Sequence, residues 1–165
     1  KFGTPYIITS LPIGARQTDI FLETILSGLS ISSSENPRET VVDLPSIDPS
    51  LRIAIFAGPT RAIALSLFLS DLSCPPRLIV LDFPPPSPCQ IRDAAGSECS
   101  ILVEPAYHEI QEALAELSIG LILGGMLERP VATILGIRII DVMHGSQRTV
   151  GYDGARILAR MISEK

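Results

Sequence analysis

From Arg52 to the end of the chain, short aliphatic or β-branched runs alternate with segments of helical period, and that alternation leaves few architectures open. Strands joined through helices lie parallel, and the helices must cover the sheet faces. Five strands can be read: Ile53 to Ala57, Leu78 to Asp82, Ser100 to Val103, Leu121 to Gly124 and Arg138 to Val142. All are short, mostly apolar and bounded by Gly, Pro or charge, as strands buried on both faces should be. Right-handed crossovers with short loops then give the order 3-2-1-4-5. The fold class is therefore α/β: a three-layer doubly wound parallel sheet of about five strands, Rossmann-like, over residues 51–165, with an N-terminal helical arm over residues 1–50.

The helices have readable starts. Pro59 and Pro105 suit first helical positions, where the missing N–H costs nothing. Thr60 to Leu72 is apolar nearly all round and should be a buried helix, while Ala106, Ile110, Ala113, Leu114 and Leu117 form one face of another. A last helix, Tyr152 to Ile162, turns Ala155, Leu158, Met161 and Ile162 inward and Arg156 and Arg160 outward. In the arm, Tyr6 to Thr9 reads as a strand and Thr18 to Leu29 as a helix with Thr18 as N-cap. Ser30 to Ser50 reads as a linker, Phe83 to Pro88 as a stiff polyproline-type loop, and a helix follows Gly124-Gly125 from Leu127.

Composition excludes several functions. Thirteen Lys and Arg against eighteen Asp and Glu give a net charge of −5, with the basic residues scattered singly, so no nucleic-acid partner is expected. Mean hydropathy is +0.37, yet no uncharged apolar run approaches the roughly 18 residues of a membrane helix, and no membrane partner is expected. Cys74, Cys89 and Cys99 are an odd number without CxxC spacing; they give neither a disulfide framework nor a four-thiolate site, and a cytoplasmic location is the expectation. The chain starts without Met or a secretory pattern and reads as an excised piece, whose apolar surface either meets an absent domain or fills a thick core.

A doubly wound sheet places its crevice where the winding reverses, at the carboxyl ends of strands one, four and five. Gly58-Pro59-Thr60-Arg61, Gly124 to Glu128 and Met143-His144-Gly145-Ser146 should line it. A dinucleotide fingerprint is absent, since the first loop has one Gly where three are needed, and Asp82 reads as a strand-end turn residue. The Gly124-Gly125 pair either lets a backbone approach an anion or cofactor or permits a tight turn. His108-Glu109-Ile110-Gln111-Glu112 lacks the second imidazole of a zinc helix and reads as a solvated face. His144, at the crevice mouth, can ligate a metal or bond a cofactor, or be an ordinary loop histidine.

Several segments together resemble the nitrogenase component 1 superfamily, which includes the molybdenum–iron protein subunits, their cofactor-assembly scaffolds and the dark-operative protochlorophyllide reductases. Gly3-Thr4-Pro5-Tyr6, Leu11-Pro12-Ile13-Gly14, Thr18-Asp19 and Phe21-Leu22 are similar to a "PIG…TD.FL" stretch. Arg52 to Pro59 is similar to "R.A.FGDP", and Leu121 to Gly125 with Glu128 and Gly151-Tyr152-Asp153-Gly154 follow in the family's order. Met143-His144-Gly145-Ser146 starts like the "MHSW…GYDG" stretch whose histidine ligates the cofactor, but the Trp is missing and His144 lies seven residues before Gly151, closer than in that subunit. The Leu11 to Asp19 stretch favours the partner subunit or its scaffold relative.

The resemblance implies the carboxyl-terminal domain of a larger oxidoreductase subunit or scaffold. It would form one wall of a cofactor or substrate cavity and an interface with a homologous partner subunit, with electrons arriving from an ATP-dependent iron–sulfur reductase. His144, Gly124, Gly125, Glu128 and Gly58 are the implied cofactor-side residues, with His144 the candidate metal ligand. An iron–sulfur or iron–molybdenum type cluster is expected in the full-length assembly, and none in this chain alone, which should be inactive by itself. The alternative is a non-catalytic small-ligand or anion-binding α/β domain using the same loops.

Overall fold

Four consecutive apolar residues, Ile53–Phe56, form β1, and all four are buried. A computed structural model describes residues 6–31, 43–145 and 147–164. Strand β1 is followed by α2 (Pro59–Asp71), β2 (Leu78–Leu81), α3 (Pro88–Ala95), β3 (Ser100–Val103), α4 (Tyr107–Glu116), β4 (Leu121–Gly124), α5 (Arg129–Leu135), β5 (Arg138–Asp141) and α6 (Gly151–Ser163); α1 (Ala15–Gly28) precedes them. The five strands are parallel in the order β3-β2-β1-β4-β5, as the alternation of the sequence predicts. No helix of the described residues is long and apolar enough to cross a membrane.

Side-chain alternation along the strands builds two separate cores. Ile53, Ile55, Ile79, Leu81, Leu121 and Leu123 face one way, against Leu65, Phe68 and Leu69 of α2, Ile91 of α3 and Leu158 and Ile162 of α6. Ala54, Phe56, Leu78, Val80 and Ile122 face the other way, against Leu114 of α4 and Val131 and Ala132 of α5. Burying each large aliphatic side chain contributes roughly 1.5–3 kcal/mol, so the central strands, apolar on both faces, anchor three layers at once.

Some local expectations need correction. Residues 6–10 are irregular, with Tyr6 and Ile8 each 81% exposed; a run of strand-forming residues has no ladder to join there. Helix α1 begins one turn earlier than the Thr18 cap predicts. Gly14 is its N-cap, and the buried Thr18 hydroxyl donates instead to the Gly14 carbonyl at 2.7 Å, inside the helix. Pro105 lies before α4, whose N-cap is Ala106. Pro88, read as the end of a stiff loop, is the first residue of α3, and Leu127 sits in a turn before α5 rather than in it. Residues 1–5, 32–42 and Ser146, on which part of the linker and one crevice residue were placed, lie outside the described residues.

The two stretches that looked most distinctive in the sequence meet in space. The Gly151 amide donates to the Pro12 carbonyl at 2.9 Å, and Ile13 forms a parallel bridge with Gly151. The Tyr152 hydroxyl donates to the Asp19 carboxylate at 2.5 Å, tying α6 to α1. Gly14 adopts φ +97°, and a Cβ there would come within 2.9 Å of the Phe68 ring, so this turn needs glycine to seat the arm on α2.

By accepting the phenolic hydrogen bond, Asp19 pushes the Tyr152 hydroxyl up to about 12, with burial adding to the effect. The folded state thus holds that proton more tightly than an unfolded tyrosine near 10. Stability from this bond is full below about pH 10 and is lost as pH rises to about 12. Tyr152→Phe is expected to be about 1–2 kcal/mol less stable at pH 7 in urea unfolding and to lack that part of the alkaline loss. Equal stability of the two proteins at pH 7 would show that the bond contributes nothing.

Candidate functional site

The loops after β4 and β5 lie side by side because their strands pair, Gly124 opposite Asp141, and the Val142 amide donates to the Gly124 carbonyl at 2.9 Å. A Cβ on the buried Gly125 would lie 3.0 Å from Cε1 of His144 and 3.3 Å from the Met143 side chain. Glycine is therefore what allows the imidazole to pack on the β4 loop. Gly124, against Phe56 and the Glu128 carboxylate, is similarly confined.

Asp141 organises the β5 side. Its Oδ1 accepts the amides of Met143 at 3.0 Å and His144 at 3.1 Å, closing a turn of the kind aspartate makes at strand ends. Both carboxylate oxygens lie 3.1 Å from Nδ1 of His144. The Met143 amide most of all, then the ring and amide of His144, hold the Asp141 carboxyl below its ordinary value, outweighing burial, which acts the other way. A carboxylate on Nδ1 favours the tautomer with the proton there and an Nε2 lone pair available, the arrangement that orients metal-ligating histidines. Among the described residues Nε2 has no hydrogen-bond partner, and the side chain is 52% exposed.

Four of the five sequence-predicted residues thus come together: Gly124, Gly125, Glu128 and His144. Glu128 stays on its own loop, where its Oε2 accepts the Gly125 amide at 2.6 Å and braces the turn into α5. Gly58 stands apart, its Cα facing the Phe83 ring. Sequence reasoning missed Asp141, whose signal was an acid at a strand end three residues before a histidine. Arg61, expected only as a crevice-lining residue, does more: from the first turn of α2, its Nη1 donates to the Val142 carbonyl at 2.5 Å and joins the β1 and β5 loops.

Beside the Gly124–Glu128 loop, a cleft of about 440 Å³ opens at the same end of the sheet, floored by Phe56, Val80 and Val131 and edged by Asp82, Glu104 and Glu128. His144 does not line it. Exposed apolar side chains rim this end: Leu127 at 89%, with Met126, Tyr107, Phe83 and Met143.

The remaining chemistry-bearing residues are dispersed. Burial pushes the Cys99 thiol up to about 11, against the opposing charges of Arg92 and Arg77, and burial followed by Asp48 raises that of Cys74. Neither is poised as a thiolate. Glu109 of the exposed His108 helix accepts the Ala106 amide at 2.6 Å, so that segment caps α4. No group of three or more His, Cys, Asp or Glu among the described residues could hold a metal ion.

Comparison with known proteins gives consistent results. Residues 1–165 match the family described as nitrogenase component 1 type oxidoreductase. The beta chain of the nitrogenase iron-iron protein from Rhodobacter capsulatus is 33% identical over 90 residues, covering 49% of this chain and 19% of that protein. A solved structure described as nitrogenase Cp1 at pH 6.5 superposes with a TM-score of 0.71 at 19% identity, over 94% of this chain and 38% of that one, a likeness of fold. The chain therefore spans well under half the length of these relatives.

Because the Asp141 carboxyl is depressed in the folded state, its contribution to stability is present above the unfolded value, near 4, and is lost as pH falls through its lower folded value. Asp141→Asn is expected to lower stability at pH 7 and to flatten the decline below about pH 4 in urea unfolding. An unchanged acid limb in the variant would remove Asp141 from this role.

Proposed function

Because the chain belongs to the nitrogenase component 1 type oxidoreductases, we propose that it is one domain of a nitrogenase-like metallocluster oxidoreductase subunit, or of a cofactor-assembly scaffold of that kind. In this reading it forms one wall of the cofactor or substrate cavity, and a subunit interface, with its Gly124–Glu128 and Met143–Gly145 loops. The observation that carries it is the fixed imidazole: Asp141 holds Nδ1 of His144 at 3.1 Å while Gly125 admits the ring against the neighbouring loop. The exposed Leu127, Met126 and Met143 around it suit a surface covered by the rest of a larger subunit or by a partner subunit.

The donor set bears on which part of the cofactor this wall meets. An iron–sulfur cluster is held by several thiolates, and the thiols here are two buried ones and one at the start of α3. The described residues do not fit a cluster held by this chain alone. A single imidazole with a carboxylate behind it does fit as one ligand to a metal anchored elsewhere. The cluster would supply electron transfer and reduction, with electrons from a separate ATP-dependent iron–sulfur reductase; this chain's part is to orient His144, close the cavity and bury the interface.

The test is anaerobic purification of the full-length parent with its operon partners, followed by metal analysis and electron paramagnetic resonance of native and His144→Gln proteins. Native protein is expected to contain iron and sulfide, and H144Q to show lower metal content or an altered signal. A parent without iron would overturn the metallocluster reading. Iron-loaded native protein with an unaltered H144Q variant would remove His144 from the wall.

A further inference from the structure

A second cavity, about 310 Å³, shares Met143 and Gly145 with the loop used above and is otherwise lined by Arg61, Arg148, Gln147 and Thr149, together with apolar Val142 and Val150. Its charged lining residues are all basic, in a chain whose net charge is −5. Asp141 and Asp153, which flank this loop in the sequence, are already engaged, Asp141 with His144 and Asp153 with Arg156 at 2.9 Å. Neither lines the cavity.

We propose that this cavity is a binding site for a small oxyanion, the phosphate or carboxylate head of a metabolite-sized ligand. Two guanidinium groups approach it from separate elements. Arg61 is fixed in place through Nη1 by the Val142 carbonyl at 2.5 Å, which leaves its other N–H groups as donors. Arg148 makes no ion pair among the described residues. Thr149, only 8% exposed, lines the cavity, where its hydroxyl can donate to a ligand oxygen. The cavity also adjoins the start of α6, thirteen residues long, where Val150 supplies no side-chain cap and the helix dipole favours negative charge. Arginine pairs of this kind recognise planar or tetrahedral oxyanions through paired N–H donors.

Isothermal titration of the chain with inorganic phosphate, with succinate, and with chloride at matched ionic strength tests the proposal, using Arg148→Gln and Thr149→Val as variants. Saturable binding of phosphate or succinate is expected, and whichever binds identifies the anion head. R148Q is expected to weaken binding about tenfold and T149V by a smaller factor. Since neither side chain holds another element in place, urea unfolding of both variants should match native protein. The proposal is overturned if neither anion saturates, if chloride reproduces the heat, or if both variants bind as native does, which would indicate an adventitious ion only.

Discussion

Strand β1 sustains the rest of the molecule because it hydrogen-bonds to β2 on one side and β4 on the other while burying side chains on both faces. A strand in that position has no solvent face, so each of its four residues must be apolar and each face must find a helical layer. The connections from β1 through α2 and α3 run to one edge of the sheet and those through α4 and α5 to the other. Between them, at the carboxyl ends of β1 and β4, the loops diverge and leave open ground. The loops after β4 and β5, on one side of this ground, are spaced by strand pairing, so the contact of Gly125 with His144 follows from the register of β4 and β5.

The residues that made the sequence look familiar divide into two kinds. Leu11 to Asp19 and Gly151 to Gly154 interlock through the Pro12 to Gly151 hydrogen bond and the Tyr152 to Asp19 bond, and so they seat α1 on α6. Their work here is architectural. Gly124-Gly125, Glu128 and His144 gather instead at the loop ends, where Gly124 packs on Phe56 at the edge of a core and the others lie outside both cores. Distinctive sequence and position at the candidate site are therefore different properties, and in this chain geometry separates them.

The sheet was legible in the sequence because its three central strands are four-residue apolar runs between turn residues, the mark of buried parallel strands, while the edge strands β3 and β5 are only partly buried and carry polar or charged ends. Less could be read where a local preference was overridden or hidden. Tyr6 to Thr9 has strand-forming residues but no neighbour with which to pair, and propensity alone does not supply one. Helix α3 was obscured by the prolines before it, although Pro88 at its first turn obeys the same rule that located α2. At the site, the approach of His144 to Gly125 followed from topology, whereas Asp141 was absorbed into a strand and Arg61 into a helix start. Their roles depend on which way a side chain turns after the backbone is set, and Arg61 reaches a carbonyl 81 positions away.

The two proposed surfaces share the β5 loop: an imidazole and glycine face, and a basic cavity lined by Arg61 and Arg148. In the proposed reading the first faces the rest of a larger oxidoreductase assembly, and the property that reading requires of it is that it is covered there. Hydrogen–deuterium exchange read by mass spectrometry, comparing this chain by itself with the same residues inside the anaerobically purified full-length assembly, measures that directly. Strong slowing confined to residues 124–128 and 142–145, with the helices facing away unchanged, is what the account requires. Equal exchange of those loops in both states would contradict it.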